Sequence, residues 1–143
     1  MSFEQAKFVK LFTLVIPVSN QNKQVLLGKK RRGFGKGLYN GFGGKVEKGE
    51  RILDAAAREL YEESGLVVGV DHLEEKRCGV LQFVFRNDFE EEQDKKVQVP
   101  WQVHIFYINE FSGTITESEE MEPQWFDIEN IPYSSMWKDD KFW

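Results

Sequence analysis

Between Arg31 and Glu50 the chain reads RRGFGKGLYNGFGGKVEKGE, with glycine at 33, 35, 37, 41, 43, 44 and 49. Glycine at this density excludes regular structure, because it loses the most backbone entropy on ordering and offers no side chain to pack. The segment is predicted to be a loop that lets backbone approach another group closely. Before it, 8–18 (FVKLFTLVIPV) and 24–30 (QVLLGKK) carry the apolar and β-branched runs of strands, around the Asn-containing turn SNQNK. After it, 51–64 (RILDAAARELYEES) is Ala-rich and free of Gly and Pro, which predicts a helix closed by Gly65 as C-cap. Strands are predicted again at 78–86 and 97–107, flanking NDFEEEQDKK, a charged stretch read as a solvated hairpin loop. Pro100 lacks an N–H and argues that the second of these is an edge strand or is broken there. A turn at Ser112-Gly113 leads to a strand near 123–128, and IPYSSMWKDDKFW ends the sequence.

Strands on both sides of one helix, in 143 residues, predict a single domain over 1–143 of the α/β (α+β) class with a central mixed sheet. The net charge of -5 argues against a nucleic acid polymer as partner, since such proteins normally carry a basic excess. The first apolar stretch is of strand length, without the longer apolar core and cleavage site of a signal peptide, and nothing reaches a membrane span. The expectation is a cytoplasmic monomer that does not engage a membrane, with nucleus or mitochondrion left open. Cys78 is the single cysteine and cannot form an internal disulfide, which suits a reducing compartment; it is read as a small buried apolar residue. Aromatic content of 14% supplies flat side chains of the kind that hold flat ligands.

The helix carries an anomaly. At about 100° per residue, Ile52, Leu53, Ala56, Ala57 and Leu60 form one apolar stripe. Glu59, Glu62 and Glu63 are spaced i, i+3, i+4 and share a face, with Glu63 falling between Ile52 and Ala56 and Glu59 beside Ile52. Carboxylates are thus carried toward the protein interior. They also occupy the last turns, where the macrodipole favours cations and each mismatch costs about 0.3–1 kcal/mol. Arg58 and Glu62 form an i, i+4 pair that answers one of the three. A solvated acidic face is the plain alternative. Against it stands the glycine loop feeding directly into the helix, whose amides and Lys45 suit phosphate oxygens. Mg²⁺ binds through a few carboxylates together with substrate phosphates.

The segment 44–66, GKVEKGERILDAAARELYEESGL, resembles the signature of the Nudix hydrolases at Gly44, Glu50, Arg58, Glu59, Leu60, Glu62, Glu63, Gly65 and Leu66. The resemblance implies an α/β/α sandwich around a mixed sheet and cleavage of nucleoside diphosphates linked to another group. It implies Mg²⁺, or Mn²⁺ as substitute, on Glu59, Glu62 and Glu63 with help from the Gly43 carbonyl, while Arg58 and Glu50 orient the cluster. A further glutamate is expected from the later loop TESEEME, which offers Glu117, Glu119 and Glu120; Glu120 is favoured by its place before PQWF, as metal ligand or acceptor of the water proton.

Beyond that signature, TLV near residue 13, LLGKKRRGFGKGLYNGFGGK, VHIF, PQWFDIENIP and MWKDDKFW resemble the branch of the family in animals that acts on oxidised purine nucleoside triphosphates such as 8-oxo-dGTP and 2-hydroxy-dATP. Carried over as base or sugar contacts are Thr13, Lys30, Phe34, Asn40, Phe42, Phe83, Trp137, Asp139 and Asp140, with Trp137 stacking on the purine. Physics supports a two-Asp reader: adjacent buried carboxylates repel, so one keeps a proton and donates while the other accepts. Departures are Tyr39 in place of Trp, Trp101 in place of a Met at the pocket wall, a longer 87–97 loop, and an end at Trp143 where the family continues through a helix and a strand. The alternatives weighed are a Nudix enzyme for a capped RNA end, a dinucleoside polyphosphate or a nucleotide sugar, a non-catalytic nucleotide-binding domain, and a protein-interaction module.

Overall fold

β1 (Lys10–Ser19) is the strand on which the other elements assemble. The computed structural model describes residues 9–84 and 99–142. Over Lys10 to Pro17 β1 runs parallel to β6 (Trp101–Ile108), in register from Lys10↔Trp101 to Pro17↔Ile108. β5 (Arg77–Phe83) lies antiparallel on the far side of β6. At its C-terminal end β1 meets β2 (Gln24–Lys30) through only two pairs, Val18↔Val25 and Ser19↔Gln24. β2 then diverges to pair with β3 (Tyr39–Asn40) and β8 (Met121–Asp127). The result is the expected mixed sheet, of six strands, opened into a fork between β1 and β2.

The second half of the glycine segment fills the fork. Residues 42–46 run beside β1, with Val15 N–H donating to the Phe42 carbonyl (2.6 Å) and Thr13 N–H to that of Gly44 (2.9 Å), while Val46 N–H donates to the Leu11 carbonyl (2.9 Å). This corrects the expectation of a loop throughout. The reason is steric: a Cβ at Gly43 would lie inside the Thr13 carbonyl, so only glycine permits this approach. The first half is a loop as expected, with left-handed backbone at Gly33, Gly35 and Gly37.

α1 (Ile52–Ser64) fits its expected bounds and ends on Gly65 at φ 80°, whose N–H donates to the Tyr61 carbonyl. Its Ala55, Ala56 and Leu60 are fully buried, and Leu60 joins Val15, Leu26, Phe42, Phe106 and Ile108 in the core on this face. α2 (Val70–Glu75) adds Leu73 to it. β4 (Leu66–Val67) and β7 (Ser112–Gly113) form a two-stranded ribbon nearby. The other sheet face gathers Leu14, Ile16, Val25, Leu27 and Ile105. Among the described residues its cover is Ile131 and Met136, from the 3-10 turns that follow β8.

Three local expectations change. β6 begins only after Pro100, in line with a strand broken there, but it is interior rather than an edge; the missing N–H falls outside the ladder, and the Pro100 carbonyl accepts from Lys10 N–H at 3.0 Å. Cys78 is exposed on the outer strand β5, with its thiol against the Ile105 carbonyl at 3.4 Å. β8 begins at Met121, two residues early. The expected hairpin loop NDFEEEQDKK lies outside the described residues.

Leu60 has no exposed surface and joins helix to sheet. Leu60→Ala is expected to lower unfolding free energy by about 2–5 kcal/mol, read from urea denaturation; a loss below about 1 kcal/mol would mean that α1 is not packed as described.

Candidate active site

The acidic turns of α1 face three environments. Glu63 is 7% exposed, as the helical wheel requires, and its Oε1 accepts from Gly43 N–H at 2.8 Å. Burial pushes its carboxyl up to about 8, against the Gly43 hydrogen bond, with repulsion from Glu59 and Glu120 adding and the charge of Lys30 opposing. Glu59 is half-buried under Gly44, where any Cβ would fall 2.6 Å from the Glu59 Oε1. Burial raises its carboxyl too, with Arg58 opposing. Glu62 is exposed.

Arg58 does more than the single pair expected of it. Its Nε and Nη2 donate to the two oxygens of Glu50 at 2.8 and 3.0 Å, and its Nη1 donates to Glu59 at 3.0 Å and Glu62 at 3.2 Å. Its Nη2 also reaches the Lys45 carbonyl at 3.4 Å. Glu50 is held below the usual carboxylate range, chiefly by this guanidinium. The three expected ligands are therefore divided: Arg58 ties Glu59 and Glu62, Gly43 holds Glu63, and among the described residues no three acidic or histidine side chains converge as a ligand set. The donor chemistry nonetheless fits a hard divalent cation, since Glu63 is a buried carboxylate satisfied by one N–H. The Phe42 and Gly44 carbonyls bond to β1, so Gly43, one residue out of phase, turns its backbone toward Glu63.

Glu120 lies where the acidic loop enters β8, and its backbone and side chain both meet the end of β2. Its carbonyl accepts from Arg31 N–H at 2.8 Å, and its Oε1 takes Arg32 Nε at 2.8 Å and Nη2 at 2.6 Å. Glu117 pairs with Arg31 at 3.0 Å, and Ser118 Oγ donates to the Glu63 carbonyl at 3.2 Å. Lys30 ends β2 beside this loop, opposite Met121.

On the other sheet face Asn40, Gly41, Ile16, Leu27, Tyr107 and Met136 line a cavity into which Asp140 is built. Asp140 is 8% exposed, and its Oδ2 has no hydrogen-bond partner among the described residues. Burial first, and Asp139 second, push its carboxyl up to about 6. Asp139 itself is exposed. Trp137 sits three residues before Asp140, whose N–H donates to its carbonyl at 3.0 Å, and Phe34 of the glycine loop stacks on it at 4.9 Å and 30°. Trp101 packs on Phe12 at 4.5 Å and is the register partner of Phe83, which places all three toward the β1 N-terminal end. Lys45 is exposed. Thr13 is buried with an Oγ1 that has no partner among the described residues, and alternation along β1 turns it with Val15 to the α1 face. Phe42 is a correction: it has no exposed surface and belongs to the α1 core, so its ring packs rather than touching a ligand.

Sequence reasoning missed Arg31, Arg32, Ser118, Tyr107 and Met136. Only the arginine pair left a signal, a basic dipeptide in a chain with an acidic TESEE loop, but which residues meet across such separations is not readable from one sequence.

With this geometry in place, comparison is informative. Residues 11–142 match the NUDIX domain. The chain is 49% identical over 134 residues to the oxidized purine nucleoside triphosphate hydrolase of Danio rerio, covering 94% of this chain and 76% of that protein. The Mus musculus protein of the same name is 47% identical over the same shares. Among solved structures, a mutator MutT protein from Bacillus halodurans superposes with a TM-score of 0.71 at 29% identity, covering 93% of this chain and 78% of that one.

Folding carries Glu63 from an ordinary 4.5 up to about 8, so the folded protein holds this proton more tightly than the unfolded chain. That contribution is present at low pH and is lost as pH rises through about 8. In metal-free protein, Glu63→Gln is expected to gain stability over wild type progressively between about pH 5 and 9. Urea titrations giving a pH-independent difference would show that Glu63 is not desolvated.

Proposed function

Because the chain belongs to the Nudix family of hydrolases, we propose that it hydrolyses oxidised purine nucleoside triphosphates, 8-oxo-dGTP and 2-hydroxy-dATP among them, to the monophosphate and pyrophosphate, thereby sanitising the nucleotide pool. The observation that carries this reading is the stretch 40–44. Asn40 and Gly41 line the Asp140 cavity, while Gly43 and Gly44 meet Glu63 and Glu59. Four residue steps of about 3.3–3.6 Å make this roughly 13–14 Å, a distance that one nucleotide can bridge, with its base at one end and its phosphates at the other.

At the phosphate end, Glu59, Glu62, Glu63 and the Gly43 carbonyl would hold Mg²⁺, with Mn²⁺ as substitute. The bound ion would neutralise phosphate charge and lower the pKa of a water for attack on phosphorus. Arg58 holds Glu59 and Glu62 in place, because its guanidinium gives each a charged donor. Glu120 would help to hold the ion or accept the proton of the attacking water. Lys30, Gly44 and Lys45 supply positive charge and close backbone to the phosphates. The protein contributes position and electrostatics, with no covalent intermediate.

At the base end, the Asp140 carboxyl, whose Oδ2 has no partner among the described residues, is poised between charge states at about pH 6 and reads the purine edge together with Asn40 and Asp139. In its protonated form it donates; ionised, it accepts. Trp137 offers a stacking face, which Phe34 covers in the free protein and which the base would share or take. Trp101 and Phe83 form the outer wall on this face. The protein acts as a monomer in this scheme.

Two variants test the two ends. Asp140→Asn is expected to lower kcat/KM for 8-oxo-dGTP roughly 10–100-fold, the loss of a charged hydrogen-bonding group, while calorimetric Mn²⁺ binding is unchanged. Glu63→Gln is expected to abolish pyrophosphate release and weaken that binding. Full turnover of oxidised purines by Asp140→Asn would remove the reader, and a nucleotide panel favouring a capped RNA end or a dinucleoside polyphosphate would replace the substrate.

A further inference from the structure

We propose that Arg32 is a positioning residue that grips Glu120 by one carboxylate oxygen and leaves the other, Oε2, to the catalytic cation. This rests on the metal reading above and deepens it.

The grip is one-sided. Nε and Nη2 of Arg32 both reach Oε1, at 2.8 and 2.6 Å. Nη1 stands 3.6 Å from Glu119 Oε2, so the guanidinium is also held from its far side. A bidentate pair would have consumed both oxygens of Glu120. This one fixes the plane of the carboxylate and spends half of it, which is how a partner behind a metal ligand works.

The backbone around Glu120 is already fixed, which leaves its side-chain direction as the variable that Arg32 sets. Arg31 N–H holds the Glu120 carbonyl at 2.8 Å, and Arg31 Nη1 holds that of Ser118 at 2.9 Å. On the other flank Ser118 Oγ donates to the Glu63 carbonyl at 3.2 Å, and Thr116 N–H donates to that of Ser64 at 2.8 Å. The acidic loop is thus pinned both to the root of the glycine loop and to the end of α1. Arg32 and Glu120 are both substantially exposed, so their pairing adds little to stability and its loss leaves the fold intact.

The test uses Arg32→Ala, Arg32→Lys, Glu120→Gln and the double variant Arg32→Ala/Glu120→Gln in the full chain. Readouts are kcat and KM for 8-oxo-dGTP, and Mn²⁺ affinity of nucleotide-free protein by calorimetry. Arg32→Ala is expected to lower kcat and weaken Mn²⁺ binding, each by roughly 10-fold or more, with KM changed less than about threefold. Arg32→Lys should recover part of both, since it keeps the charge without the planar fork. The double variant should be no worse than Glu120→Gln. A raised KM with kcat and Mn²⁺ affinity intact would make Arg32 a phosphate contact, and additive losses in the double variant would place its effect elsewhere; either overturns the proposal. Glu120→Gln without effect on Mn²⁺ or turnover would instead remove Glu120 from the metal reading itself.

Discussion

A carboxylate buried against a glycine amide is the interaction around which this molecule is arranged. The Glu63 side chain meets Gly43 N–H at 2.8 Å only because Gly43 also lies hard against the Thr13 carbonyl of β1. Gly44 in turn leaves room for Glu59. Sheet, glycine strand and helix are therefore triangulated by close contacts, of which the backbone one at Gly43 tolerates no Cβ. The same closeness desolvates Glu63, and a desolvated carboxylate satisfied by one N–H favours either a proton or a cation. Structural necessity and the proposed metal affinity arise here from one geometry.

α1 survives its own charge for reasons that can be weighed. Its last turn contains no basic residue, so the macrodipole is unanswered there, at about 0.3–1 kcal/mol for each glutamate. Burying one leucine contributes about 1.5–3 kcal/mol, and Leu60 is joined by Ala55 and Ala56, with Gly65 capping the end. Packing wins, and the helix runs to Ser64. Arg58 then removes most of the mutual repulsion by spreading one guanidinium over Glu50, Glu59 and Glu62. A lysine has the charge but not the planar fork that reaches three carboxylates at once. Glu63 is the one left without an arginine, and it is the most buried of the four.

What was legible in the sequence follows the range of the forces involved. The helix, its Gly65 cap and the inward tilt of Glu63 were readable because they depend on residues within a few turns of one another. The family signature condensed the long-range arrangement of Glu50, Arg58 and the glutamates into a local pattern. Three things were not readable. The pairing of 42–46 with β1 looked like loop, since glycine density signals close approach without naming the partner. Phe42 is carried over as a ligand contact from the family resemblance, whereas alternation turns its ring into the core. The clasp of Arg31 and Arg32 on the acidic loop spans more than eighty positions of chain, and no local period encodes it.

In the proposed scheme, the two faces of the sheet let reading the base and cutting the phosphates be separate tasks. The α1 face is dense and closed by Leu60, Phe42 and Phe106, which suits carboxylates that must be held still. The opposite face is covered by short 3-10 turns with few internal hydrogen bonds, and such segments open at low cost compared with a packed helix. A ligand that must enter does so where cover is cheapest to move. An unpaired Asp140 oxygen would be a defect in the first face, where nothing could relieve it. In the second it is tolerable, because burial lifts its carboxyl toward neutrality and a purine edge can complete its hydrogen bonds. The placement of that one orphaned oxygen on the loosely covered side is thus what the division of the molecule into a rigid face and a yielding one makes possible.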